Sequence, residues 1–305
     1  MRIGVIGCRF NTYRFLEQLK RDEIPVNCVI TRKYSNNSKA PSEFVDIASL
    51  ANLISAKVFL LDNYNLTDGI IDNIVDQNLD IIFCVGWQRI LPTKILRAPS
   101  LGVLGMHGSN HKLPKGRGRS PQVWTIINGS KFYYSHIFQY DSGIDSGKIL
   151  QIKKIDVTPF DTAADLQIKS QIIFNQFIKN NLDKLDFLIS KGKKQRDTKS
   201  HYFKKRVPSD GLIDWELEVF KIADFVRAQT SPYPGAFCYL GKDLIKIWQC
   251  NVFDTKLDFN LPFGTIVDKL DNKEVLVQCN GGILRIKDFV PNKVKIGMRF
   301  LTKEL

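Results

Sequence analysis

His107 and Asp145 are the residues of this chain whose types and positions best suit proton transfer. His107 directly follows the apolar run "LGVLGM", and Asp145 lies in the glycine-rich segment "YDSGIDSGKIL". A carboxylate beside an imidazole selects one tautomer of the ring and stabilises its protonated form. The pair therefore predicts a general base with an orienting carboxylate. The alternative interpretation is an aspartate that caps a turn and a surface histidine.

A basic segment, "MHGSNHKLPKGRGRSP", surrounds this histidine at residues 106–121. Two functions suit such a segment: a loop that binds phosphates, or the rim of a reactive site at His107. Two further histidines lie nearby. His111 is expected to be exposed to solvent, and His136, in the segment "FYYSHIFQYD", is expected to have a structural role.

The first part of the chain alternates apolar runs with segments of helical spacing. Runs such as "RIGVIG", "VNCVITRK" and "DIIFCVGW" indicate buried strands, and "TYRFLEQLKRD" and "LTDGIIDNIVDQNL" indicate helices. This alternation predicts an α/β domain with a Rossmann-like, mostly parallel sheet covered on both faces. Ligands bind beyond the carboxyl ends of such strands, where His107 is expected. The polar stretch "YSNNSKAPSE" is predicted to be a loop.

The length of 305 residues favours two domains. A long helical segment, "TAADLQIKSQIIFNQFIKNNLDKLDFLISKG", precedes a basic run, after which the pattern changes. One helix, "KIADFVRAQT", is followed by short strands with turn signals such as the Asp-Asn pair at 271–272, a pattern typical of a small β-barrel. We therefore predict an α/β domain at 1–190, a linker at 191–206 and an OB-like β-barrel at 207–305.

The formal net charge of +13 is compatible with an anionic partner, or with a general drift of composition toward Lys, Ile and Asn. The densest basic run, "KGKKQRDTK" at 191–199, has no aromatic residue between its charges. This argues against a surface on which nucleic-acid bases stack.

The cysteines and the apolar runs bear on the compartment. The six cysteines form no C-x-x-C pair, so no metal site is predicted and reduced thiols are expected. No apolar run reaches the roughly 18 residues of a membrane span, and the run before Arg9 is too short for the core of a signal peptide. We therefore expect a cytoplasmic protein without membrane contact.

The segments "HGSNHKLPKGRGRSPQVWTIING" and "FQYDSGIDSGKIL" together resemble the formyltransferases that use N10-formyltetrahydrofolate. The family signature is His-x-Ser, Leu-Pro, Arg-Gly, Pro and Gly, followed by D-x-G-x-D-[ST]-G, and every element occurs here in order. "DIIFCVGWQRILP" resembles the folate-loop strand, and "DGLIDWELEVFKIADFVRAQTSPYPGAF" and "GTIVDKL" are similar to the family's C-terminal barrel. The resemblance covers nearly the whole chain. It implies a one-carbon group transferase with N10-formyltetrahydrofolate as co-substrate and no metal.

The catalytic residues of the family are an asparagine, a histidine and an aspartate. The resemblance assigns the last two roles to His107 and Asp145. The family commonly has the asparagine two residues before the histidine, where this chain has Gly105. Asn110 is the candidate to supply the amide from another position, the alternative being a plain turn residue. Ser109 either orients this loop or only forms a turn.

Backbone groups of the strand-end loops bind the pterin ring in this family. The resemblance therefore implies cofactor contacts from two loops of this chain. The implied residues are Val85, Gly86, Trp87, Asp141 and Gly143.

Two acceptors suit the resemblance: methionyl-tRNA, or a nucleotide-linked amino sugar. The basic charge favours tRNA, whereas the helix with Arg227 and the Pro-Tyr-Pro-Gly-Ala-Phe that follows it are similar to the sugar enzymes. Lys205 and Arg206 are candidates to bind a diphosphate. Trp124 either packs on the sugar or base, or belongs to the core.

The expected acceptor is therefore a dTDP-linked 4-amino-4,6-dideoxyhexose used for surface polysaccharide (O-antigen), with the 3-amino isomer left open. Nucleic acid is not the expected partner, and a homodimer is a further expectation. The absence of the usual asparagine leaves an alternative of another class, a non-catalytic protein that binds folate, nucleotide or nucleic acid.

Overall fold

The computed structural model describes residues 1–34, 44–196, 200–270, 273–291 and 293–304. The predicted loop at 35–43, residues 197–199 of the predicted linker and the turn at 271–272 lie outside the described residues. By internal contacts the chain divides into two compact units. The first consists of Met1–Gly118, Tyr134–Ile155 and Gln167–Phe203, and the second of Arg119–Tyr133, Asp156–Leu166 and Lys204–Leu305. The predicted domain boundaries stay predictions.

Strands and helices alternate along the first half of the chain, and strands dominate the last third. The strands are β1 (Ile3–Ile6), β2 (Cys28–Arg32), β3 (Lys57–Leu61), β4 (Ile81–Cys84), β5 (Val103–Ser109), β6 (Arg117–Gly118), β7 (Phe132–Gln139), β8 (Ile149–Asp156), β9 (Tyr202–Phe203), β10 (Ala236–Leu240), β11 (Asp243–Asp254), β12 (Ile266–Leu270), β13 (Glu274–Cys279) and β14 (Gly282–Val290). The helices are α1 (Phe10–Arg21), α2 (Ile47–Leu53), α3 (Asp68–Val75), α4 (Thr93–Arg97), α5 (Pro121–Ile127), α6 (Ala163–Asn181), α7 (Leu185–Ser190) and α8 (Val219–Gln229).

The first unit is organised around a seven-stranded sheet with the strand order β3-β2-β1-β4-β5-β7-β8. The pairs from β3 to β5 are parallel, and β5 pairs with β7 in the antiparallel sense. Both faces of the sheet are covered. Val5 and Phe83 belong to a core with Phe15 of α1, whereas Ile6 and Cys84 belong to a second core on the opposite face. This two-sided burial is the reason the strands are continuous apolar runs, and it confirms the predicted Rossmann-like sheet.

The long helical segment predicted after β8 is divided in the structure. Helix α6 ends at Asn181, a short 3₁₀ turn covers Leu182–Lys184, and α7 begins at Leu185. The side chain of Asn181 donates a hydrogen bond to the carbonyl of Phe177 at 2.7 Å. An asparagine that bonds its own backbone in this way competes with the helix, which accounts for the break.

The second unit contains a five-stranded antiparallel sheet with the order β10-β11-β14-β13-β12. Backbone groups near the end of the chain bond to both edges of this sheet. Tyr239 and Leu301 exchange two hydrogen bonds of 2.8 and 2.9 Å, and Ile266 donates to the carbonyl of Met298 at 2.8 Å. The sheet is thereby joined across its edges, in agreement with the predicted barrel-like domain.

Candidate active site

Strand β5 carries His107 near its carboxyl end. The strand continues through Ser109, so His107 lies inside it rather than just after it. In an extended strand the side chains of residues two apart point to the same face, so His107 shares a face with Gly105. The His107 side chain is only 8% exposed.

Both ring nitrogens of His107 face oxygen atoms. Nε2 lies 2.9 Å from the carbonyl oxygen of Gly116, and a carbonyl can only accept, so Nε2 carries a proton in this arrangement. Nδ1 lies 3.5 Å from Oδ2 of Asp145. The structure thus brings together the two residues that the sequence singled out, although their assigned roles stay predictions.

Asp145 has a strained backbone conformation with φ of +52°. Left-handed φ values are uncommon outside glycine and persist where the surroundings hold them. Here the carboxylate accepts a hydrogen bond from the backbone of Gly118 at 2.9 Å, and the Asp145 carbonyl accepts one from the side chain of Gln195 at 2.8 Å. These two contacts fix the carboxylate beside His107.

Gln195 is a residue that the sequence interpretation missed, since it lies in the basic run taken for a linker. Its amide nitrogen donates to the carbonyls of Asp145 and Gly147, and its oxygen accepts from the guanidinium of Arg117 at 2.7 Å. Arg117 is only 2% exposed and also donates to the hydroxyl of Tyr202 at 3.1 Å. No sequence signal pointed to Gln195, because its partners lie 48 to 78 residues away in the chain.

His136 is fully buried opposite His107, on strand β7. Its Nε2 accepts a hydrogen bond from the backbone of Leu113 at 3.1 Å, and its Nδ1 lies 3.1 Å from the carbonyl of His107. One nitrogen must accept and the other must donate, so the ring is neutral. Burial, with a smaller contribution from His107, lowers the pKa of His136 to about 3. These contacts agree with the structural role expected for this histidine.

The residues that follow His107 shape the loop. Ser109 is buried, and its hydroxyl accepts a hydrogen bond from the backbone of His111 at 3.2 Å, whereas His111 is exposed. Asn110 is half-buried just beyond the end of β5. Its role as an amide donor stays a prediction.

The loop after β4 contains the first set of predicted folate contacts. The carbonyl of Val85 accepts a hydrogen bond from the hydroxyl of Thr12 at 2.6 Å. Gly86 has φ of +77°, and a Cβ there would lie 2.3 Å from Oδ1 of Asn11. Trp87 is 9% exposed and packs edge-on against Tyr64, with ring centroids 4.8 Å apart. The close approach at position 86 requires glycine.

The second set of predicted folate contacts lies in the turn after β7. Oδ1 of Asp141 accepts hydrogen bonds from the backbone of Gly143 at 3.0 Å and from the hydroxyl of Ser146 at 2.6 Å. Asp141 and Gly143 are both exposed. The Asp141 carboxylate therefore stabilises its own turn, and contact with a folate stays a prediction.

The predicted substrate residues lie in the second unit. The guanidinium of Arg206 is 5.1 Å from the ring centre of Trp124, and it donates to the side chain of Gln229 at 3.1 Å. Lys205 is exposed. Arg227 donates to Asp224 at 2.8 Å and to backbone carbonyls at Thr158 and Asp161. The structure brings Trp124 and Arg206 together, whereas Arg227 bonds to the turn that precedes α6.

Within the described ranges, no group of three or more His, Cys, Asp or Glu side chains is arranged to hold a metal ion. The six cysteines are free, and five of them are buried. None of the helices in the described part of the chain is both long and apolar enough to cross a membrane.

Two family models match the sequence of this chain. The family model described as "Formyl transferase" matches residues 1–176, and that described as "Formyl transferase, C-terminal domain" matches residues 206–303. The chain belongs to the formyl transferase family, which confirms the resemblance drawn from the motifs.

One relative is similar to this chain in sequence. The bifunctional polymyxin resistance protein ArnA of Wigglesworthia glossinidia brevipalpis is 38% identical over 181 residues, which cover 57% of this chain and 26% of the relative. The chain thus spans about a quarter of the length of this relative.

Two solved structures share the fold at lower identity. An N-formyltransferase from Helicobacter canadensis, in complex with folinic acid and dTDP-3-aminofucose, has 19% identity and a TM-score of 0.62, with 95% of this chain and 99% of that chain covered. A methionyl-tRNA formyltransferase from Clostridium thermocellum has 19% identity and a TM-score of 0.57, with 94% and 99% covered. Both similarities show a shared fold.

Proposed function

We propose that this protein transfers a formyl group from N10-formyltetrahydrofolate to the amine of a nucleotide-linked amino sugar. The observation that carries the proposal is the pair of the buried His107 and the partly exposed Asp145 at the carboxyl edge of the sheet, in a chain of the formyl transferase family. A binding protein needs no imidazole with a carboxylate held beside it by a strained backbone.

The reaction exchanges one carbon–nitrogen bond for another. The acceptor amine attacks the formyl carbon, and the bond from that carbon to N10 breaks. The amine loses one proton and N10 gains one, so the products are the N-formylated acceptor and tetrahydrofolate. The protein must therefore move one proton and stabilise the negative charge that develops on the formyl oxygen.

The ring contacts of His107 determine which nitrogen moves the proton. In the neutral ring Nε2 keeps its proton toward the Gly116 carbonyl, so Nδ1 carries the lone pair that accepts the proton of the amine. The Asp145 carboxylate, 3.5 Å away, then stabilises the charged ring until the proton passes to N10. While Nδ1 is unprotonated it forms no hydrogen bond with the carboxylate, so a separation of 3.5 Å is expected, and the bond forms once Nδ1 has taken the proton.

The loop regions near β1 and β4 offer polar groups that suit a pterin. Oδ1 of Asn11, Nε of Arg9 and Nε1 of Trp87 are buried and have no hydrogen-bond partner among the described residues. An unpaired buried donor or acceptor is costly, and a pterin ring presents both donors and acceptors along one edge. The residues present therefore fit a folate, with Asn11, Arg9 and Trp87 holding its ring. Bound there, the folate supplies the formyl group.

Three observations support an amino sugar as acceptor. The stacked pair of Trp124 and Arg206 suits a ligand that combines a flat ring with a diphosphate, with the exposed Lys205 beside Arg206 in the chain. The Helicobacter canadensis structure contains a dTDP-linked 3-amino sugar, and a sugar 3N-formyl transferase crystallised in the presence of dTDP has the same fold with a TM-score of 0.61. We keep the 4-amino-4,6-dideoxyhexose as first candidate and the 3-amino isomer as second. A role in surface polysaccharide synthesis, a cytoplasmic location and a homodimer complete the proposal.

The test is formation of tetrahydrofolate from N10-formyltetrahydrofolate with a panel of acceptors. The panel contains dTDP- and UDP-linked 3-amino and 4-amino sugars and methionyl-tRNA. Turnover with one sugar nucleotide, abolished in His107→Ala, is the expected result. Turnover with methionyl-tRNA alone, with an affinity that falls steeply with salt, would assign the protein to the initiator branch. Folate binding without turnover of any acceptor would contradict the enzymatic function.

A further inference from the structure

Gly105 leaves a space beside His107 that another side chain fills. A Cβ at position 105 would lie 2.4 Å from Cε1 and 2.7 Å from the hydroxyl oxygen of Tyr140. These distances are too short for any side chain at 105 while Tyr140 keeps its position. Residues two apart on a strand are separated by about 6.6 Å. The Tyr140 hydroxyl therefore lies about one such step from the position of His107, on the same face of the sheet.

Two contacts fix the position of Tyr140 beside Gly105. Gly105 pairs with Cys84 on β4 and with Phe138 on β7. The ring of Tyr140 stacks on that of Phe138, with centroids 4.9 Å apart and an interplanar angle of 22°. The Tyr140 backbone donates to the carbonyl of Val103 at 2.7 Å. A phenol fixed by stacking and by its backbone is preorganised, which is what a catalytic donor needs.

We propose that Tyr140 is a catalytic residue whose hydroxyl donates a hydrogen bond to the formyl oxygen as the amine attacks. The inference rests on the proposed formyl transfer. It assigns to Tyr140 the stabilisation of the oxygen, a task separate from the proton transfer of His107. Attack at the formyl carbon moves an electron pair onto this oxygen, and the pair returns when the bond to N10 breaks. The phenol keeps its proton throughout.

The surroundings of the hydroxyl support a donor. Burial raises the pKa of Tyr140 well above its ordinary value, and Cys84 and Asp145 add to the effect. Burial also raises the pKa of Cys84 to about 12. The neighbouring Cys84 thiol is therefore neutral, and a neutral thiol is a weak hydrogen-bond partner for the hydroxyl. Exchange of the thiol for a developing oxyanion strengthens the bond during the reaction.

The same geometry explains why this chain has no amide at position 105. An asparagine side chain there and the Tyr140 ring would occupy the same volume. Either group alone can direct a donor to this side of His107. An asparagine at position 105 is therefore expected to require a small residue at position 140, and a tyrosine at 140 to require glycine at 105.

The decisive variant is Tyr140→Phe, which keeps the ring and removes the hydroxyl. We expect kcat to fall roughly 10²- to 10³-fold with little change in KM. Tyr13→Phe is the matched control, because Tyr13 packs against the core on the opposite face of the sheet. If Tyr140→Phe has the kcat of the unsubstituted protein, the inference is overturned. If His107→Ala is inactive in the same assay, the proposed function is still supported. Absence of turnover in the unsubstituted protein would overturn both.

A second measurement does not depend on turnover. The carbonyl stretch of a bound, ¹³C-labelled 10-formyl-5,8-dideazafolate reports the hydrogen bond to the formyl oxygen. We expect this band to lie at higher frequency in Tyr140→Phe than in the unsubstituted protein and in Tyr13→Phe. An unchanged band would overturn the inference. The double variant Gly105→Asn/Tyr140→Ala should recover part of the lost kcat, whereas Gly105→Asn alone should lose stability.

Discussion

The carbonyl of His107 accepts a hydrogen bond from Nδ1 of His136, at 3.1 Å, across the strands β5 and β7. The second nitrogen of His136 accepts from the backbone of Leu113. The candidate base and the loop that follows it are thus held by a second, buried histidine. Protonation of that histidine removes the acceptor for Leu113, which makes the site sensitive to acid.

Stability is therefore expected to depend on pH through His136. Its folded pKa of about 3 lies below the ordinary 6.5, so the unfolded chain takes up the proton first. The stabilisation is complete above about pH 6.5 and is lost as the pH falls toward 3, with a slope of up to about 1.4 kcal/mol per pH unit. Urea unfolding between pH 7 and pH 4 should show a smaller slope in His136→Gln. The exposed His201→Gln is the control, and an equal slope in both variants would contradict the assignment.

Asp145→Asn tests the carboxylate at nearly constant shape. The amide cannot stabilise the charged imidazole, so we expect kcat to fall by about 10²-fold with the fold intact. Asp254→Asn is a matched control, because that carboxylate also accepts backbone hydrogen bonds in a turn. Steady-state kinetics over pH 6 to 9 would measure the effect. A loss of the same size in both variants would show that Asp145 acts only on the backbone.

Gln195→Leu tests the connection between Arg117 and the Asp145 loop. The change removes the hydrogen bonds from Gln195 to the carbonyls of Asp145 and Gly147 and those it accepts from Arg117. We expect a loss of about 1–3 kcal/mol in the free energy of unfolding and a reduced kcat. Gln176→Leu, at an exposed position of α6, should change neither. Retention of both properties in Gln195→Leu would show that the loop is held by its other contacts.

Gly116→Ala tests the loop that supplies the carbonyl for Nε2 of His107. Gly116 has φ of +76°, and an added Cβ would lie 1.8 Å from the hydroxyl of Ser109. Gly129→Ala is the matched control, since Gly129 has φ of +60° and open space around it. Both variants carry the backbone cost of roughly 1–3 kcal/mol, and Gly116→Ala should lose additional stability and most of its kcat. If Gly116→Ala and Gly129→Ala have the same free energy of unfolding and the same kcat, the role of the Gly116 loop is contradicted.

Most of the fold follows from local sequence patterns. Runs such as "DIIFCVGW", between segments of helical spacing, indicate strands buried on both faces, and the carboxyl ends of such strands meet at one edge. That rule alone placed His107 at the correct edge of the sheet. The break at Asn181 is different, because it depends on one side chain that competes with the helix for the carbonyl of Phe177.

The remaining parts of the site depend on packing between distant segments. Nothing in the run "KGKKQRDTK" distinguishes Gln195 from its charged neighbours, and its function follows only from contact with Asp145 and Arg117. The Tyr140 ring occupies space that a side chain at Gly105 would fill. Gly105 lies 35 residues earlier in the chain and becomes a neighbour of Tyr140 only when β5 and β7 pair. A motif search compares residues at fixed spacing, so it cannot detect such an exchange.

The backbone near Phe300 has a consequence for self-association. Leu301 bonds to Tyr239 of β10, at one edge of the five-stranded sheet. Met298 and Phe300 bond to Ile266 of β12 and to Gly264 just before it, at the other edge. An unpaired strand edge is a template on which another chain can add a strand. One short stretch of backbone therefore shields two such templates at once. Cleavage there is expected to expose backbone groups at both edges of the sheet to pairing with another chain.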